Sequence, residues 1–302
     1  MREALEAKLG PISSAHLVAG GASKEAWAVD LADGTELLVR RASVGVIHKD
    51  TLTLEQEFRV LQAAVDAGVA APRPVQYLGD VGGHEAFAME RVGGETIGRR
   101  IVRDPPAALP VQLAEQLARI HSIEPLDFLP RGNAIARFYD ELDSVGEPHP
   151  AIEYGLAWVR DRLAEPEATT FCHGDFRVGN FAVDTDGLVS VLDWEFAHVG
   201  DPVGDVAWPI VRAWRFGADE RRLGGLGEVE PYLERYNELT GRGITLDELD
   251  VWEVFGNVKW AIGCLTQCRR HLNGQDRSVE YAVLGRMAAE MEYELLDLIA
   301  HA

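Results

Sequence analysis

Residues 173–195 read HGDFRVGNFAVDTDGLVSVLDWE. Phe181, Val183, Leu188, Val189, Val191 and Leu192 are apolar, and Asp184-Thr185-Asp186-Gly187 is a turn signal. This pattern predicts a short β-hairpin, which carries the chain out and back. Asn180 and Asp193 then sit side by side at its open end, with Asp175 five residues before the amide. A carboxylate at Asp175 can accept the proton of a substrate hydroxyl. Asn180 offers an uncharged oxygen to a metal ion, and Asp193 a hard anionic one. Phosphoryl transfer asks a protein for little more than these roles. An Asp-Gly turn or an HGD triplet alone is common; the conjunction, followed by Gly200-Asp201-Pro202, is specific.

HGDxxxxN, a hairpin, DWE, then GDP and a further aspartate, Asp205, resemble the aminoglycoside phosphotransferase family. The form HGDFRxGN with DWExxxxGDPxxDxAW is similar to the kinase-like domains associated with acyl-CoA dehydrogenases. The resemblance is strongest from Phe171 to Trp208 and looser over the rest of the chain. It implies an α+β, bilobal protein-kinase-like fold. The N-terminal nucleotide-binding lobe, residues 1–92, would hold a five-stranded antiparallel sheet plus a helix. A hinge at about 90–95 would lead to a mostly helical catalytic and substrate lobe, 95–302, containing the catalytic β-hairpin.

With 302 residues the chain is long enough for two lobes with their own cores. An apolar fraction of 47% and a charged fraction of 26% are those of a soluble globular protein. No apolar run reaches bilayer length, and MREALEAKLG is amphipathic rather than a signal peptide, so no membrane partner is expected. Three cysteines, Cys172, Cys264 and Cys268, suggest no disulfide framework, and a cytoplasmic location is the default. Cys264, Cys268 and His271 can share a helix face, but three ligands without a fourth read as packing. Lys+Arg 29 against Asp+Glu 49 gives a net charge of −20, which argues against a nucleic-acid partner. That charge is compatible with a cationic substrate but does not choose one.

The chain opens with a predicted helix at Glu3–Leu9, then strands at Ala15–Val18, Glu25–Leu31 and Glu36–Arg41, the last two joined at Asp33-Gly34. Between the first two strands lies Gly20-Gly21-Ala22-Ser23-Lys24. A Gly-rich turn of this kind can offer backbone N–H groups and the Ser23 hydroxyl to phosphate oxygens. Thr51–Ala67 has helical spacing, with Leu54, Phe58, Leu61 and Val65 as its apolar stripe. Strands at Val75–Leu78 and Ala86–Arg91 complete the sheet. Helices are expected at Ala107–Ser122, Ala134–Val145, Ala151–Ala164, Pro202–Phe216, Pro231–Leu239, Leu246–Cys268 and Val279–His301. Trp208, Trp214, Trp252 and Trp260 fall among them, as core packing or as walls of a substrate pocket.

The resemblance assigns further roles. Arg40 stands where kinases carry the lysine that holds the α and β phosphates, and a guanidinium can grip them bidentately. Glu57 is its expected partner, with Glu55 the alternative; Arg41 would point to the opposite face and be solvated. At the hinge, the Glu90 carbonyl and the Val92 N–H are expected to read adenine. His173 would anchor the catalytic loop, as would His121 from a helix end. Arg177 would stabilise charge on the transferred group, or make a salt bridge to Glu195 or Asp201. Glu195 would touch a second metal or orient its water, and Asp205 would support the loop backbone. GDP follows DWE at once, leaving no long activation segment, which favours a small-molecule acceptor. The expectation is a kinase moving the γ-phosphate of ATP, with GTP as the alternative, to a substrate hydroxyl with Mg²⁺. Its rivals are a nucleotide-binding regulatory module and a protein kinase.

Overall fold

Alternation of apolar and polar residues in the first ninety positions builds a sheet with two different faces. The computed structural model describes residues 1–18, 24–42, 51–132, 135–163, 168–275 and 278–302. Helix α1 (Arg2–Leu9) leads into β1 (Ile12–Leu17), β2 (Lys24–Leu31) and β3 (Glu36–Ala42). Helix α2 (Leu54–Asp66) follows, then β4 (Pro74–Asp80) and β5 (Glu85–Glu90). The five strands are antiparallel in the order β1-β2-β3-β5-β4. Leu37 and Val39 of β3 are buried with Leu5 of α1 on one face. Leu38 and Arg40 point the other way, where Leu38 packs on the larger core that also takes Leu54, Val60 and Leu61 of α2.

Arg41 is on the face opposite Arg40, as strand alternation requires, but it is buried rather than solvated. Its guanidinium donates to the carbonyls of Val81 and Gly82, both at 2.8 Å, and to Glu25 at 2.9 Å. Helix α2, expected from Thr51, starts at Leu54 because Thr53 caps it. Thr53 accepts from the Gln56 N–H, and Gln56 returns a bond to the Thr53 N–H.

The rest is mostly helical: α3 (Gly98–Ile101), α4 (Leu109–Ile120), α5 (Ile135–Val145) and α6 (Pro150–Arg160), then α7 (Pro202–Ala207), α8 (Val229–Thr240), α9 (Leu246–Leu272) and α10 (Val279–His301). Between α6 and α7 lie four short strands. β6 (Thr170–Cys172) pairs with β9 (His198–Gly200), and β7 (Phe181–Asp184) pairs with β8 (Gly187–Val191). The second pair is the expected hairpin; the first has no local signal in the sequence. The helix expected over Pro202–Phe216 ends at Ala207 and gives way to two 3-10 turns, Trp208–Ile210 and Arg212–Trp214. Pro209 has no N–H to continue the helix, and its ring clashes with the carbonyl one turn earlier. No helix among the described residues is long and apolar enough to cross a membrane.

Candidate active site

The loop from Cys172 to Asn180 owes its shape to a buried carboxylate that arrives from α7. Asp205 accepts the backbone N–H of His173 at 2.6 Å and that of Gly174 at 2.9 Å. Burial opposes charge on Asp205, yet the hydrogen bond and charge of His121, with His198 and His173 nearby, hold its carboxyl far below the ordinary aspartate range. Gly174 has φ +83°, and a Cβ there would lie 2.2 Å from the Phe196 carbonyl oxygen, so only glycine fits. His173 is fully buried, which pushes its pKa down and favours the neutral ring. Its Nδ1 accepts from the Asp175 N–H at 3.2 Å, and its Nε2 donates to the Leu192 carbonyl at 3.1 Å. With both nitrogens engaged, His173 ties the loop to the end of the hairpin.

His121, Cys172 and Asp205 bring their ligand atoms within 4.8 Å of one another. Both oxygens of Asp205 already serve the loop backbone, His121 Nδ1 is hydrogen-bonded with the Tyr236 hydroxyl at 2.6 Å, and burial pushes the Cys172 thiol up. The group is therefore a brace under the loop. Cys264, Cys268 and His271 form no such group among the described residues.

The Asp175 carboxylate takes three donors. Oδ1 accepts from Trp208 Nε1 and from Arg177 Nε, each at 2.8 Å, and Oδ2 accepts from Asn180 Nδ2 at 2.6 Å. Arg177 thus pairs with Asp175, not with Glu195 or Asp201, and its guanidinium lies 4.2 Å from the Trp214 ring centroid. Asn180 also donates to the Asp175 carbonyl at 2.9 Å. Its amide nitrogen is spent on Asp175, which turns Oδ1 away from that carboxylate. The Leu192 N–H bonds to the Asn180 carbonyl at 2.8 Å, so the open end of the hairpin sets Asn180 beside Asp193.

Asp193 has φ +64°, in the left-handed region where a residue other than glycine costs about 1–2 kcal/mol. Its side chain stays about a third exposed. Arg40 Nη2 reaches its Oδ1 at 3.1 Å, and Arg40 Nε lies 3.0 Å from Glu57. Glu55 is exposed, so Glu57 is the partner. Lys24 reads in the sequence only as the end of a turn, yet its ammonium lies 2.6 Å from Glu57 and 3.0 Å from Glu195. Two cations and three carboxylates therefore form one cluster. Burial works against the Asp193 charge, but Arg40, Lys24 and Arg177 hold its carboxyl below the usual value. Glu195 goes the other way: it is buried beside Asp193, and both effects push it up. Gly20, Gly21 and Ser23 lie outside the described residues.

The hinge expectation falls on residues 90–95. Val92 is half-buried, and no described residue accepts a hydrogen bond from its N–H. Just beyond, Glu95 and Val183 exchange backbone hydrogen bonds at 2.7 and 3.0 Å, docking the segment on the β7–β8 hairpin. Gly94, at φ +103°, leaves no more than 3.1 Å between a would-be Cβ and the Val183 backbone.

A family model described as the phosphotransferase enzyme family matches residues 14–242. Mouse acyl-CoA dehydrogenase family member 10 is 28% identical over 310 residues, which cover 90% of this chain and 28% of that protein. The chain thus spans less than a third of the length of that relative. A Ralstonia eutropha protein classed as an aminoglycoside phosphotransferase superposes with a TM-score of 0.76 at 22% identity, over 99% of this chain and 98% of that one. Spectinomycin phosphotransferase, solved with ADP and spectinomycin, gives 0.71 at 12% identity, over 97% of each chain. These likenesses establish the bilobal, kinase-like fold.

Proposed function

The chain belongs to the phosphotransferase enzyme family, and from that premise we propose that it transfers the γ-phosphoryl group of ATP to a hydroxyl of a small molecule, with Mg²⁺. The observation that carries the reading is the division of labour at Asn180. Its nitrogen is committed to Asp175 at 2.6 Å, so its oxygen is the atom left for a metal. Asp193, partly exposed and held ionised by Arg40, supplies the second oxygen. An amide oxygen and a carboxylate are hard donors that fit Mg²⁺, which keeps several waters and binds through few protein ligands. When bound, such an ion neutralises charge on the phosphates.

This chain's own groups do the rest. Asp175 receives the proton of the attacking hydroxyl, and its position is fixed by Trp208 and Arg177. Arg40 and Lys24, both clamped to Glu57, face the nucleotide phosphates, and Gly20, Gly21 and Ser23 are kept as further phosphate-binding residues on the sequence alone. The Glu90 carbonyl and Val92 N–H take the base. Glu195 steadies Lys24 and the metal's water. The division into a nucleotide lobe, 1–92, and a catalytic lobe, 95–302, belongs to the same reading. A small acceptor is favoured over a polypeptide because β9 and α7 follow Asp193 within nine residues, leaving no long segment to dock one.

The test is ADP release from MgATP across a panel of hydroxyl compounds. Turnover with one class and none without magnesium supports the proposal. ATP that fails to bind at any magnesium concentration overturns it.

A further inference from the structure

A row of indoles begins at the proposed base. Trp208 donates to Asp175, its ring centroid lies 5.3 Å from that of Trp214, and Trp214 lies 4.8 Å from Trp260. Two cations lie against this row. The Arg177 guanidinium is over Trp214 and the Lys259 ammonium is 4.8 Å from the Trp208 centroid. Trp260 and Lys259 both come from α9, which approaches the 208–211 turn closely because residue 256 is glycine. A Cβ there would lie 2.5 Å from Val211.

Three donors in this row lack an acceptor. The indole N–H groups of Trp214 and Trp260 are buried and make no hydrogen bond to any described residue. Lys259 makes no hydrogen bond or contact ion pair with any described residue, although the Asp205 and Asp175 carboxylates attract it from a distance. Arg177 is already matched by Asp175. A half-buried ammonium with no carboxylate in contact is only partly compensated, and buried donors left unpaired call for a ligand or water. An acceptor bearing an ammonium group would bring like charge against Lys259, whatever the net charge of the whole chain.

We propose that the Trp208–Trp214–Trp260 row with Lys259 is the acceptor subsite for a hydroxyl compound carrying a carboxylate or phosphate group. Lys259 pairs with the anion and the indole N–H groups donate to its oxygens, while the hydroxyl reaches Asp175. The inference rests on the kinase reading above and adds the charge of the substrate to it. Burial depresses the Lys259 pKa, and an arriving anion restores its charge.

The experiment measures ADP release with hydroxycarboxylates, hydroxyalkyl phosphates and amino alcohols of matched carbon number, in the wild type, Lys259→Met and Lys259→Arg. Turnover is expected with one or both anionic series, and which series responds names the group. Lys259→Met should raise KM about 10- to 100-fold while kcat changes by less than about threefold, and Lys259→Arg should recover most of the loss. Better turnover with amino alcohols, or an unchanged KM in Lys259→Met, overturns the assignment. Absence of turnover with all three series, in protein whose melting temperature MgATP raises, overturns it too. A melting temperature that MgATP does not move would instead bring down the kinase reading beneath.

Discussion

Arg40 and Asp193 stand 153 positions apart in the chain, and their side chains meet at 3.1 Å. One comes from the third strand of the sheet, the other from the end of the β7–β8 hairpin. The pair joins the proposed phosphate grip to the proposed metal ligand, and Glu57 fixes it from behind at 3.0 Å.

Replacing Arg40 with methionine removes that link while Lys24 still neutralises Glu57. The fold should therefore survive, and MgATP affinity should fall about 10- to 100-fold, the worth of a charge-assisted bond or two. Arg40→Lys should lose less. Calorimetric titration with MgATP reads the change directly, and an unchanged dissociation constant would remove Arg40 from the nucleotide site.

Trp208→Phe keeps the aromatic packing but deletes the N–H that reaches Asp175 at 2.8 Å. The base should become less well placed rather than lost. A roughly 10-fold drop in kcat is expected, with ATP affinity and melting temperature little changed. A variant that unfolds would show the indole to be mainly a core residue.

Two glycines with positive φ should respond to alanine to very different degrees. Gly241 caps α8 at φ +68° with open space around it, so Gly241→Ala should cost about 1–2 kcal/mol. Gly174→Ala meets the Phe196 carbonyl oxygen as well, at 2.2 Å, and should give protein that is unfolded or insoluble. Urea unfolding of the two variants separates backbone strain from collision.

The buried histidines set an acid limit on stability. His173 and His198 both have pKa values lowered by burial, so around pH 6 the unfolded chain binds more protons than the folded one. Stability should fall as pH drops below about 6.5, the ordinary histidine value. Asp205, held far below its ordinary value, adds a second loss as pH falls below about 4. Denaturation midpoints between pH 8 and 3 should show both limbs, and His198→Gln should flatten the first.

Much of this was legible because it is local. The hairpin, its turn at Asp184–Gly187 and the apolar stripe of helix α2 are each written within a dozen residues. What stayed hidden depends on partners far along the chain. Lys24 gives no sign in sequence that it will meet Glu195, 171 positions on. Arg41 is buried because two backbone carbonyls and Glu25 receive it, and carbonyls leave no sequence signature. The left-handed backbone of Asp193 is likewise invisible, since aspartate adopts that conformation only where its surroundings impose it. The break after α7 was different: Pro209 announced it, and the helical spacing on either side masked the signal.

If Asp175 receives the acceptor's proton, Asp175→Asn should separate catalysis from nucleotide binding. The amide preserves the shape of the carboxylate and removes its basicity. With an acceptor that the wild type turns over, phosphate-ester formation should fall at least about 100-fold while MgATP affinity stays within about threefold. Wild-type turnover by Asp175→Asn would contradict the account.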